Sequence, residues 1–155
     1  MGIENVLNQT KIRHLNWAPV ICVESHHSLG EVLATMQSSR VGCVLITENQ
    51  KLVGIFTERD VIRKIVGNNL DHSRVIREFM TPHPKTLHPE DSFATAIQVM
   101  DKGCYRDIPL VDHEGRLLGR LSVKNIIDFL TEHYPQEVFS LSPRSRQNFA
   151  EPDGA

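Results

Sequence analysis

The sequence predicts an α/β (α+β) fold built from two tandem β-α-β-β-α units. Three observations carry that prediction: the chain repeats itself, each copy runs through strand and helix periodicities in the same order, and the composition is that of a globular protein. Over 155 residues, 40% are apolar and 23% charged, which excludes a wholly disordered chain. A chain of this length holds one domain or two small units sharing a core.

The repeat comes first, because a missed repeat misassigns every element. From Val44 onward the chain superimposes with a constant offset on the stretch that begins at Pro109. Leu45 falls on Leu110, Leu52 on Leu117, Gly54 on Gly119 and Ile62 on Ile127. Between these identities the exchanges are conservative: Lys51 for Arg116, Phe56 for Leu121, Thr57 for Ser122, Asp60 for Asn125. Upstream, Ser28, Leu29, Val32, Leu33 and Met36 match Ser92, Phe93, Ala96, Ile97 and Met100 with an offset one residue shorter. The alignment therefore expects one residue gained or lost between Met36 and Cys43. It sets Gly42-Cys43-Val44 where the second copy has Asp107-Ile108-Pro109.

The elements follow in order. Ile3, Val6 and Leu7 suit one short amphipathic helix ahead of Trp17-Ala18-Pro19. An extended segment at 20–23 leads to a helix opened by Ser28, whose apolar residues Leu29, Val32, Leu33 and Met36 lie at helical spacing. A buried strand at 41–46, the polar turn Glu48-Asn49-Gln50-Lys51, a strand at 52–56 and a closing helix at 58–66 complete the first copy. The second copy repeats the order: an extended segment at 85–87, a helix opened by Ser92, a strand at 108–111, the turn His113-Glu114-Gly115, a strand at 117–121 and a helix at 123–133. Pro82-His83-Pro84 and His88-Pro89 read as extended lead-ins. A sheet covered by helices on one face needs a partner for its other surface, and the second copy supplies it. The division is an N-terminal helical segment at 1–16, repeats at 17–70 and 71–134, and a flexible tail at 135–155.

Composition excludes several function classes. Lys plus Arg is 17 against 19 for Asp plus Glu, so the chain lacks the footprint of a nucleic-acid binder. No apolar run reaches the length of a membrane span. The start has neither a basic nor an apolar region and is not a secretory signal. An odd number of cysteines (Cys22, Cys43, Cys104) in apolar or strand-like segments suggests buried free thiols in a reducing, cytoplasmic setting. Among eight histidines, His26 and His27 are adjacent and expected on different faces, and no His or Cys pair has zinc-site spacing. No nucleophile elbow and no carboxylate pair framed by apolar residues is present, so neither a metal site nor an enzyme is expected.

The motif that carries chemistry occurs twice, as Gly-x-x-[Thr/Ser]-x-x-[Asp/Asn] at the exit of each last strand. It reads Gly54-Ile55-Phe56-Thr57-Glu58-Arg59-Asp60 and Gly119-Arg120-Leu121-Ser122-Val123-Lys124-Asn125. One reading is a helix start, with Thr57 as N-cap and Asp60 completing a capping box. The other is a ligand site. A helix N-terminus offers free N–H groups, a carboxylate one turn in accepts both hydroxyls of a ribose diol, and a glycine lets a ligand approach the backbone.

These residues resemble a known family. Leu52-Val53-Gly54-Ile55-Phe56-Thr57-Glu58-Arg59-Asp60-Val61, Met80-Thr81-Pro82 and Tyr105-Arg106-Asp107-Ile108-Pro109-Leu110-Val111-Asp112 are similar to the CBS domain, named from cystathionine β-synthase. The resemblance covers about 17–132. It implies two repeats packed as a pseudo-two-fold module with two clefts, frequent homodimers, and reversible binding of an adenosine-containing ligand (AMP, ADP, ATP or S-adenosylmethionine) that regulates an unidentified protein target. No tightly bound cofactor is implied. Carried over by residue, Asp60 is the ribose-binding acid, Thr57 its neighbouring hydroxyl, and Arg106 a phosphate contact. Ile108 and Pro109, with Thr86, line the adenine pocket through backbone groups. Ser122 and Asn125 mark the second cleft, where the amide has replaced the acid and the site is expected to be weak or empty. Arg59 and Lys124 are either phosphate contacts or solvated helix charges. The alternative is a structural dimerisation adaptor with vacant clefts, and a third reading is a metal-ion or redox sensor.

Overall fold

A computed structural model describes residues 2–134, so the tail at 135–155, expected to be flexible, lies outside the described residues. The first repeat's β1 (Cys22–Glu24), β2 (Cys43–Glu48) and β3 (Lys51–Thr57) form a sheet with β4 (Thr81–Pro82) from the start of the second, in that order. β1 runs parallel to β2 and the other neighbours are antiparallel. The second repeat pairs β5 (Asp107–Val111) with β6 (Leu117–Ser122). Its extended segment at 85–87 contributes one parallel bridge, Leu87 to Leu110, rather than a strand. The reason is Pro109. In the first repeat the Leu45 N–H donates to Ile21 O at 3.0 Å, and the proline in Leu45's place has no N–H to give.

The helices start and stop where local chemistry dictates. α1 spans Ile3–Gln9. α2 (Leu29–Ser39) opens on a capping box of Ser28 and Glu31, and α4 (Phe93–Gly103) on the Ser92 hydroxyl. Both end on a left-handed residue, Arg40 at φ 52° and Cys104 at φ 53°. The helix expected at 58–66 differs from its counterpart α5 (Val123–His133): after α3 (Glu58–Asp60) the chain widens into a π-helix, Val61–Ile65. Its ring closes through Val66 N–H to Val61 O at 2.9 Å, and Gly67, at φ +83°, stops it.

Strand register corrects the alignment. Ile46 pairs with Gly54 in β2–β3, and Leu110 with Gly119 in β5–β6. Ile46 thus corresponds to Leu110, and Gly42-Cys43-Val44 to Arg106-Asp107-Ile108, one residue away from the sequence alignment. The extra residue lies in the hairpin. The first repeat turns through Asn49 and Gln50, both left-handed (φ 52° and 68°), whereas the second turns through His113-Glu114-Gly115, with Gly115 at φ +84°. Matching the two leucines reverses the faces of one strand relative to the other, because side chains alternate with period two.

Each repeat buries its own core, and each core is completed by a segment from outside that repeat. Leu29, Val32, Val44, Ile46 and Phe56 of the first repeat pack with Ile76, Phe79 and Met80, which open the second. Phe93, Ile108, Leu110 and Leu121 of the second repeat pack with Ile12 and Leu15 from the N-terminal segment, and with Leu7 and Trp17 at the margin. The exchange is reciprocal down to the backbone. Ser28 bridges Val75, Ser92 bridges Lys11, β4 pairs with β3, and Ala18 bridges Arg120 of β6. Ile12 and Ile76 are both fully buried. The Ile12→Ala variant is therefore expected to lose about 2–5 kcal/mol of stability, although Ile12 lies outside the second repeat in sequence. Chemical denaturation read by circular dichroism measures the loss.

Candidate functional site

The Thr57–Asp60 box forms at the point where β3 becomes α3. Thr57 is extended (φ −124°, ψ 169°), so its backbone turns its N–H and hydroxyl into the first turn of the helix. The Thr57 N–H (2.9 Å) and hydroxyl (3.2 Å) both donate to Asp60 Oδ2. The other oxygen is also engaged. Lys64 Nζ stands 3.1 Å from Oδ1, and the Thr81 hydroxyl donates to the same atom at 3.3 Å. Lys64 comes within reach because it lies four residues along from Asp60. Thr81 arrives through β4, where it pairs with Ile55. Lys64 also donates to Phe79 O at 2.7 Å, which ties the helix to the segment between the repeats. Asp60 is 7% exposed, the one charged side chain buried among the described residues.

The Ser122–Asn125 box has the same geometry and different chemistry. The Ser122 N–H and hydroxyl both donate to Asn125 Oδ1 at 2.8 Å, and Asn125 N–H returns a bond to the hydroxyl at 3.2 Å. In the positions of Lys64 and Thr81 stand Phe129 and Ala18, so among the described residues neither the cation nor the second hydroxyl of the first box has a counterpart at Asn125. Beside it lies a polar recess of about 90 Å³ lined by His14, Asn16, Asp128 and His133. Nucleoside-sized ligands occupy several times that volume. Lys124 is paired with Asp128 at 2.8 Å.

The motif glycines do not open the backbone to a ligand. A Cβ on Gly54 would collide with Met80 Sδ, and one on Gly119 would lie 2.7 Å from the Trp17 ring. Each glycine is a notch filled by the neighbouring lead-in segment.

The remaining predicted residues fall as follows. Leu87 N–H donates to Pro109 O at 3.1 Å, which brings the segment holding Thr86 against Ile108 and Pro109. The Ile108 side chain is fully buried in the second core. Arg106 is exposed, and its carbonyl accepts the Val123 N–H at 3.0 Å beside the Ser122 cap. No hydrogen bond among the described residues joins Arg106 or Thr86 to Asp60.

Sequence reasoning missed two features. The partners of Asp60 are one: Lys64 was visible as an i+4 cation, whereas Thr81 needed the strand exchange. The other is an open cleft of about 530 Å³ between the repeats, with Val20, Cys22 and Glu24 on one side and Asp112, Arg116 and Leu118 on the other. Cys22 occupies in β1 the place that Thr86 holds in the second repeat.

The cysteines and histidines depart from expectation in part. Only Cys43 is buried; Cys22 and Cys104 are exposed. Cys43 is paired with Thr57 across the ladder, and burial, reinforced by the charge of Asp107 from the other repeat, pushes its thiol up to about 12. Asp107 is itself ion-paired with Arg120, whose Nε is buried without a partner among the described residues. His26 and His27 stack, with ring centroids 4.9 Å apart, because the turn before Ser28 folds adjacent residues onto one side. Iodoacetamide at pH 8 is expected to alkylate Cys22 and Cys104 in the native protein and Cys43 only after denaturation, as read by peptide mass spectrometry.

Comparison with known proteins places this geometry. The CBS domain family matches the chain twice, at residues 12–67 and 76–132. The chain belongs to the CBS domain family. It is 32% identical over 117 residues to the meiotically up-regulated gene 70 protein of Schizosaccharomyces pombe, covering 74% of this chain and 16% of that protein. The chain thus spans a minor part of that relative. Among solved structures, CBSX2 in complex with AMP superimposes with a TM-score of 0.69 at 19% identity, covering 79% of this chain and 97% of that one. The CBS domain pair of MJ0100, in complex with 5′-methylthioadenosine and S-adenosyl-L-methionine, gives 0.69 at 23% identity with the same two coverages. Both share the fold of a CBS pair. Among the described residues no helix is long and apolar enough to cross a membrane.

Proposed function

We propose that this CBS pair is a cytoplasmic regulatory module that binds an adenine nucleotide reversibly in the cleft bounded by Thr57 and Asp60. The observation that carries the reading is the buried carboxylate of Asp60, capped by Thr57 on one oxygen and met on the other by Lys64 and by Thr81 from the start of the second repeat. The ligands named for CBSX2 and MJ0100 support the chemical class. In this reading Asp60 accepts the ribose diol, Thr57 orients it, and Arg106 on its exposed strand end meets the phosphate. Thr86, with Ile108 and Pro109 of β5, borders the adenine through backbone atoms. Ser122 and Asn125 form the weaker counterpart, since the amide is uncharged and has one acceptor oxygen, already taken by Ser122, where the carboxylate has two. The working division into repeats at 17–70 and 71–134, the homodimer, the protein target and the absence of catalysis belong to the same proposal.

A ligand bound across both repeats shifts their relative arrangement by no more than its difference in affinity for the two states. A second reading, an adaptor with vacant clefts, draws support from Asn125 and from the engagement of Asp60 by protein donors. Thermal unfolding with AMP, ADP, ATP and S-adenosylmethionine separates the two. A ligand at about 100 times its dissociation constant adds roughly 2.7 kcal/mol and raises the midpoint by about 5 °C or more. The expected outcome is a shift with one adenosine ligand that Asp60→Ala abolishes. No shift with any of the four favours the adaptor.

A further inference from the structure

The Asp60 carboxylate already has a resident cation. Lys64 Nζ lies 3.1 Å from Oδ1, and the side chain is 37% exposed, which leaves it a path outward to solvent. Its second bond, to Phe79 O at 2.7 Å, anchors it in this position. Oδ2 accepts two bonds from the Thr57 cap, which the helix start requires, so a diol has to compete at Oδ1, where Lys64 and the Thr81 hydroxyl now stand, and Lys64 is the charged one of the two. The second repeat offers an internal comparison, with phenylalanine in place of the lysine and asparagine in place of the acid. Cation and carboxylate occur together in one repeat and are both absent from the other.

We infer that Lys64 is an internal competitor for Asp60, and that its displacement makes the site select an anionic nucleoside. The inference rests on the nucleotide reading above. A diol taking Oδ1 breaks the ion pair and leaves an ammonium without its counter-ion. A neutral nucleoside bears that cost in full. A ligand carrying its own phosphate gives the displaced ammonium a new partner, and a sulfonium ligand adds a like charge. Lys64 is a specificity-determining residue in this scheme, and the class of ligand is a nucleoside phosphate rather than adenosine or S-adenosylmethionine.

Titration calorimetry with AMP, adenosine and S-adenosylmethionine on the wild type, Lys64→Met, Lys64→Arg and Asp60→Asn tests this. The wild type is expected to prefer AMP. Lys64→Met is expected to bind adenosine up to about fivefold more tightly and to narrow the AMP-to-adenosine ratio by at least that factor, since a partly exposed ion pair is worth about that much. Lys64→Arg keeps the wild-type ratio, and Asp60→Asn binds all three weakly. Added salt screens the pair, so wild-type affinity for uncharged adenosine rises with ionic strength while that of Lys64→Met stays flat. A purely structural lysine lowers the melting temperature when replaced but strengthens no ligand. An unchanged or weaker adenosine affinity in folded Lys64→Met, or tighter wild-type binding of S-adenosylmethionine than of AMP, overturns the inference and leaves the nucleotide reading standing. Should Lys64→Met not fold, adenosine affinity in the wild type that is constant or falling with salt overturns it alone. Absence of binding by all three ligands overturns the inference, and absence of a thermal shift with ADP and ATP as well overturns the nucleotide reading with it.

Discussion

Everything in this molecule depends on a reciprocal exchange of short lead-in segments. The first hydrophobic core closes only when Ile76, Phe79 and Met80 cover it, and the second only when Ile12 and Leu15 do. A repeat of this size buries too little apolar surface to be secure by itself. Exchange answers that shortage by making each core out of two stretches of chain far apart in sequence. It also fixes the geometry between the repeats, because β4 and the Ala18 bridge place the lead-in of one unit along the sheet edge of the other. The Asp60 cluster is a product of the same exchange: its fourth donor, Thr81, belongs to the segment that opens the second repeat.

Within that frame the two N-terminal boxes have diverged in chemistry while keeping their geometry. Thr57 with Asp60 and Ser122 with Asn125 make the same backbone bonds, so both helices are capped equally well. What differs is the demand each box places on its surroundings. A buried carboxylate requires donors or a counter-ion, and Thr57, Thr81 and Lys64 meet that demand. The half-buried Asn125 amide carries no charge to balance, and Phe129 and Ala18 stand there in the places of Lys64 and Thr81. One box therefore carries an electrostatic balance that a ligand can upset, and the other does not.

Much of this was legible in the sequence, and what was not has definite physical causes. The tandem units, the helices opened by Ser28 and Ser92, and the hairpins follow from periodicity and capping residues that act over a few positions. The register of β2 against β5 did not follow, because Leu45 and Leu110 are identical by type while facing opposite sides of their sheets. Burial of both faces erased the alternation that would have exposed the error, since Cys43, Val44, Leu45 and Ile46 are all buried. The motif glycines suggest openings for a ligand in the sequence, whereas the structure fills each with Met80 or Trp17. That contact is long-range, and no local pattern announces it. The i+4 relation of Lys64 to Asp60 was present in the sequence, yet only burial of the carboxylate gives the pair its weight.

The extra residue in the second hairpin reaches beyond register. Gly115 O accepts the Leu52 N–H at 3.1 Å, and Gln50 O accepts the Leu117 N–H at 3.3 Å, so the two unequal turns are also the place where the repeats join. A duplicated gene starts with interchangeable halves, and point substitutions drift in both directions. A difference in length at the joint is different in kind, since no substitution elsewhere restores equal turns. The two halves are therefore not interchangeable at the point where their hairpins bond to each other.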